Sequence, residues 1–272
     1  MPELPEVETT RRGIAPHILG QRVQAVQVRD PRLRWPVPAD LQEQLVGQQV
    51  EAVDRRGKYI LVRFQSGHLL VHLGMSGRLR VLPGPGVPPD RHDHYDIVFV
   101  SGATLRYTDP RRFGTCLWLA GEPGAHWLLR GLGPEPLDAG FDGAHLHRSG
   151  AGRRVAVKNL LMNAQVVVGV GNIYANEALY RAGIDPRRAA GRIARARYDR
   201  LADAVKAVLA EAIEQGGTTL RDYYRGDGSP GFFALHLGVY GRQGERCRVC
   251  GDAVRQVVVG QRSTYYCPSC QR

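Results

Sequence analysis

No apolar run in the 272 residues approaches the roughly 18 that a membrane-crossing helix requires, which excludes a helical integral membrane protein. The first ten residues lack the basic start and long apolar core of a secretory signal and carry Glu3, Glu6 and Glu8 instead, so the expectation is a cytoplasmic chain. Internal repeats and low-complexity tracts are absent, and 43% hydrophobic with 23% charged residues excludes a disordered chain. Lysine is scarce: Lys58, Lys158 and Lys206 are the only three among 37 basic residues. Acidic residues are outnumbered, 26 to 37, giving a net charge of +11 and a pI near 9.8. Residues 1–130 hold 17 basic and 13 acidic side chains and residues 131–272 hold 20 and 13, so the excess is no charged tail. Such a balance favours a polyanionic partner, nucleic acid being the commonest, against the plainer alternative of a generically basic surface.

Cysteine is also scarce, and four of the five lie at the C-terminal end. Cys247-x-x-Cys250 and Cys267-x-x-Cys270, sixteen residues apart, have the spacing of a four-thiolate zinc site. The segment Val254 to Tyr266 between them suits a β-hairpin with Gly260 near its turn. One structural Zn²⁺ there would replace a hydrophobic core that so short a segment cannot build. Two disulfides are the alternative, disfavoured in a cytoplasmic chain. Cys116, in the apolar run Cys116-Leu-Trp-Leu, reads as a core residue.

Residues 5–19 read as a helix with Pro5 in its first turn and Gly13, Pro16 and Gly20 weakening its far end. Short β-type runs follow to about residue 120, at 22–28, 59–64, 69–73, 95–100 and 104–107, as in a β-sandwich, and the Pro/Gly-rich stretch Leu82 to Pro89 reads as a surface loop. From about 131 the period becomes helical. Leu201, Val205, Val208, Leu209 and Ala212 share one face, and Gly216-Gly217 stops that helix. A glycine-rich loop then spans 216–233. The expected layout is a β-sandwich domain with a leading helix (1–130), a helical domain (131–235) and a zinc finger (236–272), an α+β multidomain chain.

Val166 to Tyr174 places Gly169 and Gly171 ahead of Asn172, which reads as the N-cap of a helix running to about Ala182. Tyr174 stands where a dinucleotide fingerprint needs its third glycine, so no nucleotide cofactor is expected. Beside Arg153, Arg154 and Lys158, the turn suits a phosphate approaching the helix's positive end; a purely structural turn is the alternative. The N-terminus points to chemistry. Removal of Met1 exposes Pro2 as a secondary amine, able to attack an aldehyde-like carbon and form an iminium that drives elimination at the neighbouring carbon. Glu3 would act beside it as general acid/base, and Glu6 could reach back to the first-turn amides. An ordinary helix start is the alternative.

Pro2-Glu-Leu-Pro-Glu-Val-Glu8, Lys58 within Arg55-Arg-Gly-Lys-Tyr59, His72-Leu-Gly-Met75-Ser-Gly77, Arg91-His-Asp-His94, Arg106-Tyr-Thr-Asp-Pro-Arg111-Arg-Phe113-Gly114, Gly133-Pro-Glu-Pro136, Val168-Gly-Val-Gly-Asn-Ile-Tyr174 and the four cysteines occur in one order. In this the chain resembles bacterial formamidopyrimidine-DNA glycosylase, also called 8-oxoguanine DNA glycosylase, from end to end. The resemblance implies a helix-two-turn-helix arrangement in the helical domain and a bifunctional repair enzyme. Such an enzyme removes oxidised purines from duplex DNA and cuts the strand by β,δ-elimination through a Pro2 Schiff base.

By the same resemblance, Glu3 is the acid/base partner, Lys58 serves β-elimination, and Arg262 serves δ-elimination; a guanidinium pKa makes phosphate neutralisation the better role for Arg262. Met75, Arg111 and Phe113 fill the space left by the extruded nucleotide, with Arg111 reading the estranged cytosine. Two residues apart, Arg111 and Phe113 would share a side of extended backbone. His72, His92, Arg154 and Asn172 match DNA-backbone contacts, and loop 216–233 matches the segment covering the flipped base. A monomer acting on damaged double-stranded DNA is implied. Asn163 stands where an acid is usual, and Tyr223-Tyr224 lies in a variable loop. Two alternatives are an endonuclease VIII-type glycosylase for oxidised pyrimidines, against which Leu4 counts, and a non-catalytic zinc-finger DNA-binding protein, against which Pro2, Glu3 and Lys58 count.

Overall fold

Two compact units divide the chain in the computed structural model, which describes residues 2–82, 84, 87–218 and 233–272. The first comprises Met1–Arg130 with Gln215–Phe232, the second Gly131–Glu214 with Phe233–Arg272. The four-cysteine segment thus belongs to the same unit as the helices.

The first unit opens with α1 (Leu4–Ile18), whose N1/N2 position is taken by Pro5, where a missing N–H costs nothing. Pro16 does not end it. Ile14 and Ile18 are both 0% exposed, and their burial holds the last turn in place despite the lost hydrogen bond. The strands are β1 (Val23–Val28), β2 (Val50–Arg56), β3 (Tyr59–Phe64), β4 (Gly67–His72), β5 (Arg78–Leu82), β6 (Asp93–Phe99), β7 (Thr104–Thr108) and β8 (Thr115–Leu119), with a short α2 (Leu41–Leu45) after β1. They form two four-stranded sheets, ordered β1-β6-β7-β5 and β2-β3-β4-β8, with every pairing antiparallel. Inward residues of both sheets, among them Val62, Val71, Ile97 and Leu105, join Val7, Ile14 and Ile18 of α1 in one core. This is the expected sandwich with its leading helix. Tyr95 and Tyr107 stack inside it at 5.2 Å, and buried Cys116 has its thiol pushed up by burial to about 12, as suits an inert core residue.

The second unit contains α3 (Gly143–Gly150), α4 (Val157–Leu161), α5 (Asn172–Arg181) and α6 (Arg195–Glu214). Two turns join α4 to α5. Asn163 begins them: its Oδ1 accepts the Gln165 N–H at 3.0 Å and its carbonyl accepts Val166 and Val167. An aspartate at 163 could accept the same Gln165 N–H. On α6, Leu201, Val205, Val208, Leu209 and Ala212 are buried as the period requires, and Gly216 and Gly217 stop the helix with φ of +75° and +84°. The hairpin β9 (Arg255–Val259) and β10 (Arg262–Tyr266) turns through Gly260 and Gln261, with φ of +56° and +62°. Two left-handed residues match the twist of a two-residue hairpin. No helix of the described residues is long and apolar enough to cross a membrane. Most of loop 216–233, Tyr223 and Tyr224 included, lies outside the described residues.

Candidate active site

Pro2 is buried, and Glu3 and Glu6 are each 2% exposed at the head of α1. Glu6 reaches back as its position suggested: Oε2 accepts the Glu3 N–H and Oε1 the Thr218 N–H, both at 2.8 Å. A carboxylate at the positive end of a helix, holding the backbone of the residue after Pro2, fixes where the N-terminal amine sits. One turn on, Glu8 accepts from Arg11, Arg12 and Arg55. Burial pushes its carboxyl up, but the bonds from Arg11 and Arg12 and the charges of Arg11 and Arg55 outweigh that and bring it down to about 2. Arg55 also donates to the Gly57 carbonyl at 3.0 Å, so the Glu8–Arg55 pair ties α1 to the β2–β3 turn just before Lys58.

His72 closes β4 opposite Tyr59, their rings 4.9 Å apart. Burial, then the nearby Lys58 and Arg34 charges, lowers His72 to about 4 against a smaller opposing pull from Asp109. The ring is therefore neutral at physiological pH. Its Nδ1 accepts the Gly74 N–H at 3.0 Å, which leaves Nε2–H as a donor suited to a phosphate oxygen.

Met75 follows on the β4–β5 turn and Arg111 and Phe113 on the β7–β8 loop. Arg111 and Phe113 do share a side, but not through extended backbone. Arg112 between them is left-handed, at φ +58°, with its guanidinium 3.0 Å from Asp30 Oδ2. That kink lays the Arg111 guanidinium over the Phe113 ring at 5.2 Å, with Phe113 47% exposed. A cation paired with an exposed aromatic ring is suited to entering a base stack. His92 lies on the loop leading into β6, half-buried.

In the second unit, two expectations are corrected. Asn172 is the first helical residue of α5 and Gly171 holds the cap position; the Asn172 Nδ2 donates instead to the Ser263 carbonyl at 3.0 Å. Lys158 is no solvent-facing partner of the glycine turn. It is 0% exposed, and its Nζ donates to the Ser263 carbonyl at 3.1 Å and Thr264 Oγ1 at 2.6 Å. Asn176 Oδ1 takes the Tyr265 N–H at 2.7 Å. Three helical-domain side chains thus grip β10 directly after exposed Arg262, while Arg154 is exposed ahead of α4. Glu177 adds three bonds from the Gly238, Val239 and Tyr240 amides, at 2.8–3.0 Å. Nothing in the sequence marked Lys158, Asn176 or Glu177 for this work, because each acquires its partners from residues far along the chain.

The sulfur atoms of Cys247, Cys250, Cys267 and Cys270 all lie within 4.8 Å of one another, and all four are free of disulfides. Tetrahedral Zn²⁺ with metal–sulfur bonds of about 2.3 Å sets its sulfurs about 3.8 Å apart. Cys247 and Cys270 stand 3.8 Å apart, and Cys250 and Cys267 3.3 Å. Val249 N–H and Tyr180 Oη approach the Cys247 sulfur, and Cys270 N–H approaches that of Cys267, the outer-shell contacts usual around metal-bound sulfur. Four such donors hold one structural Zn²⁺ with no position left open for water.

Comparison with known proteins gives one answer along the chain. The model described as the formamidopyrimidine-DNA glycosylase N-terminal domain matches residues 1–116, that of the H2TH domain of the same enzymes 132–223, and that of the zinc finger found in FPG and IleRS 244–272. A formamidopyrimidine-DNA glycosylase of Methylococcus capsulatus is 62% identical over 272 residues, and one of Alkalilimnicola ehrlichii 60% over 277, each alignment covering 100% of both chains. Among solved structures, Lactococcus lactis Fpg bound to abasic-site DNA is similar with a TM-score of 0.91 at 32% identity, covering 99% of both chains. The same species' enzyme bound to Fapy-dG DNA gives 0.90 at 31%, over 99% of this chain and 100% of that one. MutM (FPG) of Thermus thermophilus gives 0.88 at 41%, over 99% and 98%.

Proposed function

The chain belongs to the formamidopyrimidine-DNA glycosylase family, and from that premise we propose which of its residues carry the reaction. It is a base-excision repair enzyme that removes oxidised purines from duplex DNA and then cuts the strand as an abasic-site lyase. Pro2, freed of Met1, attacks C1′ of the damaged nucleotide, the base leaves, and the nitrogen is held as a cationic iminium. Glu3 delivers the proton that opens the sugar and takes up those released in the eliminations. Lys58 supplies a cation at the 3′ phosphate during β-elimination, and Arg262 neutralises the 5′ phosphate as δ-elimination expels it. The iminium is the electron sink for both steps, so neither needs a metal or a nucleotide cofactor at the reacting atoms.

Met75, Arg111 and Phe113 occupy the space left by the extruded nucleotide, and the Arg111 fork donates to O2 and N3 of cytosine. His72, His92, Arg154 and Asn172 hold phosphates. The working modules are 1–130, 131–235 and 236–272, used by a monomer in the cytoplasm, at the nucleoid. The observation that carries these assignments is the head of α1, where buried Pro2 precedes a buried Glu3 whose amide is clamped by Glu6. Borohydride trapping on duplexes carrying 8-oxoguanine or oxidised thymine tests it. A covalent adduct at Pro2, formed faster with 8-oxoguanine, is expected; an adduct at an internal lysine would displace Pro2 from the mechanism.

A further inference from the structure

Resting on the roles just given to Met75, Arg111 and Phe113, we infer that Asp109 is a positioning residue that makes these three side chains act as one unit. Asp109 is 0% exposed and directly follows the last residue of β7. Its Oδ1 accepts the Ser76 hydroxyl at 2.7 Å and the Arg111 N–H at 3.2 Å; its Oδ2 accepts the Gly114 N–H at 2.8 Å. Its own N–H donates to the His92 carbonyl at 3.0 Å, and the His94 Nε2 lies 2.9 Å from its carbonyl oxygen. One residue therefore joins the loop after Met75, both ends of the segment carrying Arg111 and Phe113, and the backbone of His92.

The packing leaves the two loops no room to slide. A Cβ on Gly74 would stand 2.5 Å from the Gly114 nitrogen and the Phe113 carbonyl carbon, and one on Gly114 would stand 1.7 Å from the Tyr107 hydroxyl. Backbone lies directly on backbone, and the carboxylate sets their register. Three donors from two loops converge on it, which only a group with acceptors at both oxygens can satisfy. An asparagine would turn one N–H against the Gly114 amide or against Ser76 and Arg111. A wedge, a filler and a reader must enter the duplex together, and displacement of one loop by an ångström takes the Arg111 fork off the cytosine edge.

The test is single-turnover excision of 8-oxoguanine opposite cytosine and opposite adenine, with cleavage of a preformed abasic site and thermal melting measured on the same samples. Asp109→Asn is expected to lower the cytosine-over-adenine ratio at least about fivefold, the lower end of what a misread bidentate contact is worth, while abasic-site cleavage is retained. In an Arg111→Ala background it should leave the ratio unchanged, because the reader it positions is gone. Ser76→Ala, which removes the hydroxyl that donates to Asp109 and accepts the Arg111 N–H at 3.3 Å but leaves the Gly114 bond to Asp109, should shift the ratio the same way by a smaller factor and covers the case in which Asp109→Asn does not fold. If Arg111→Ala narrows the preference while Ser76→Ala and folded Asp109→Asn leave it intact, Asp109 has no positioning role. If Arg111→Ala itself leaves the preference intact, the failure lies in the assignment of the reader, and the positioning role falls with it.

Discussion

Replacing Glu8 by glutamine removes the carboxylate that ties α1 to the β2–β3 turn but keeps its shape. The side chain is 11% exposed among Arg11, Arg12 and Arg55, of which Arg12 is 59% exposed and Arg55 12%. Its carboxyl falls from 4.5 to about 2, a shift equivalent to about 3.4 kcal/mol at neutral pH. Screening of the exposed Arg12 pair reduces this to about 2 kcal/mol. The folded value lies below the unfolded one, so the stabilisation is complete above about pH 4.5 and is lost as the pH falls from there through about 2. Glu8→Gln should therefore cost about 2 kcal/mol at pH 7 and about 1 kcal/mol or less at pH 3. Urea unfolding followed by tryptophan fluorescence isolates the effect, since Trp35, Trp118 and Trp127 all lie in the first unit and do not report on the zinc segment. The carboxylate also holds Arg55 over the turn before Lys58, so strand cleavage at an abasic site should slow at pH 7. An equal penalty at pH 7 and pH 3, or none at pH 7, refutes the electrostatic account.

At the N-terminus, Pro2→Gly keeps a terminal amine and should retain some borohydride trapping, whereas an added N-terminal residue should abolish it. Glu3→Gln should lose base excision while still binding the lesion, checked by gel shift and single-turnover kinetics side by side. Cys250→Ser removes one of four zinc donors, and elemental analysis should find metal lost together with DNA binding; a full complement of zinc in that variant would overturn the four-thiolate site. Binding to undamaged duplex should weaken with salt at a log–log slope of roughly −5 if six phosphates are neutralised, and a slope near zero would contradict a charge-dominated interface.

The elements most legible in the sequence were those set by local rules. The Cys-x-x-Cys pairs announced a zinc site because a tetrahedral ion needs two close thiolates from each of two turns. The runs at 59–64 and 104–107 announced strands because side-chain alternation is a property of the backbone itself. The same locality misplaced two details. Asn172 has the right chemistry for a cap but finds the Ser263 carbonyl instead. Arg111 and Phe113 meet through a left-handed Arg112, a conformation invisible in a residue pattern.

By itself, the sequence determined the chemistry available: a secondary amine after Met1 with a carboxylate beside it, four thiolates at metal spacing, and a basic surplus spread over the whole chain. Those are properties of residue type and short spacing, which survive any fold. Only the tertiary structure decided which polar groups are spent on scaffolding. Lys158 looked like a phosphate ligand and is consumed by Ser263 and Thr264, 105 and 106 residues away. Asp109, given no role of its own by the sequence, gathers Ser76, Arg111 and Gly114 onto one carboxylate. A buried charge needs partners, and partners distant in sequence are brought within hydrogen-bond reach by strand and helix packing alone.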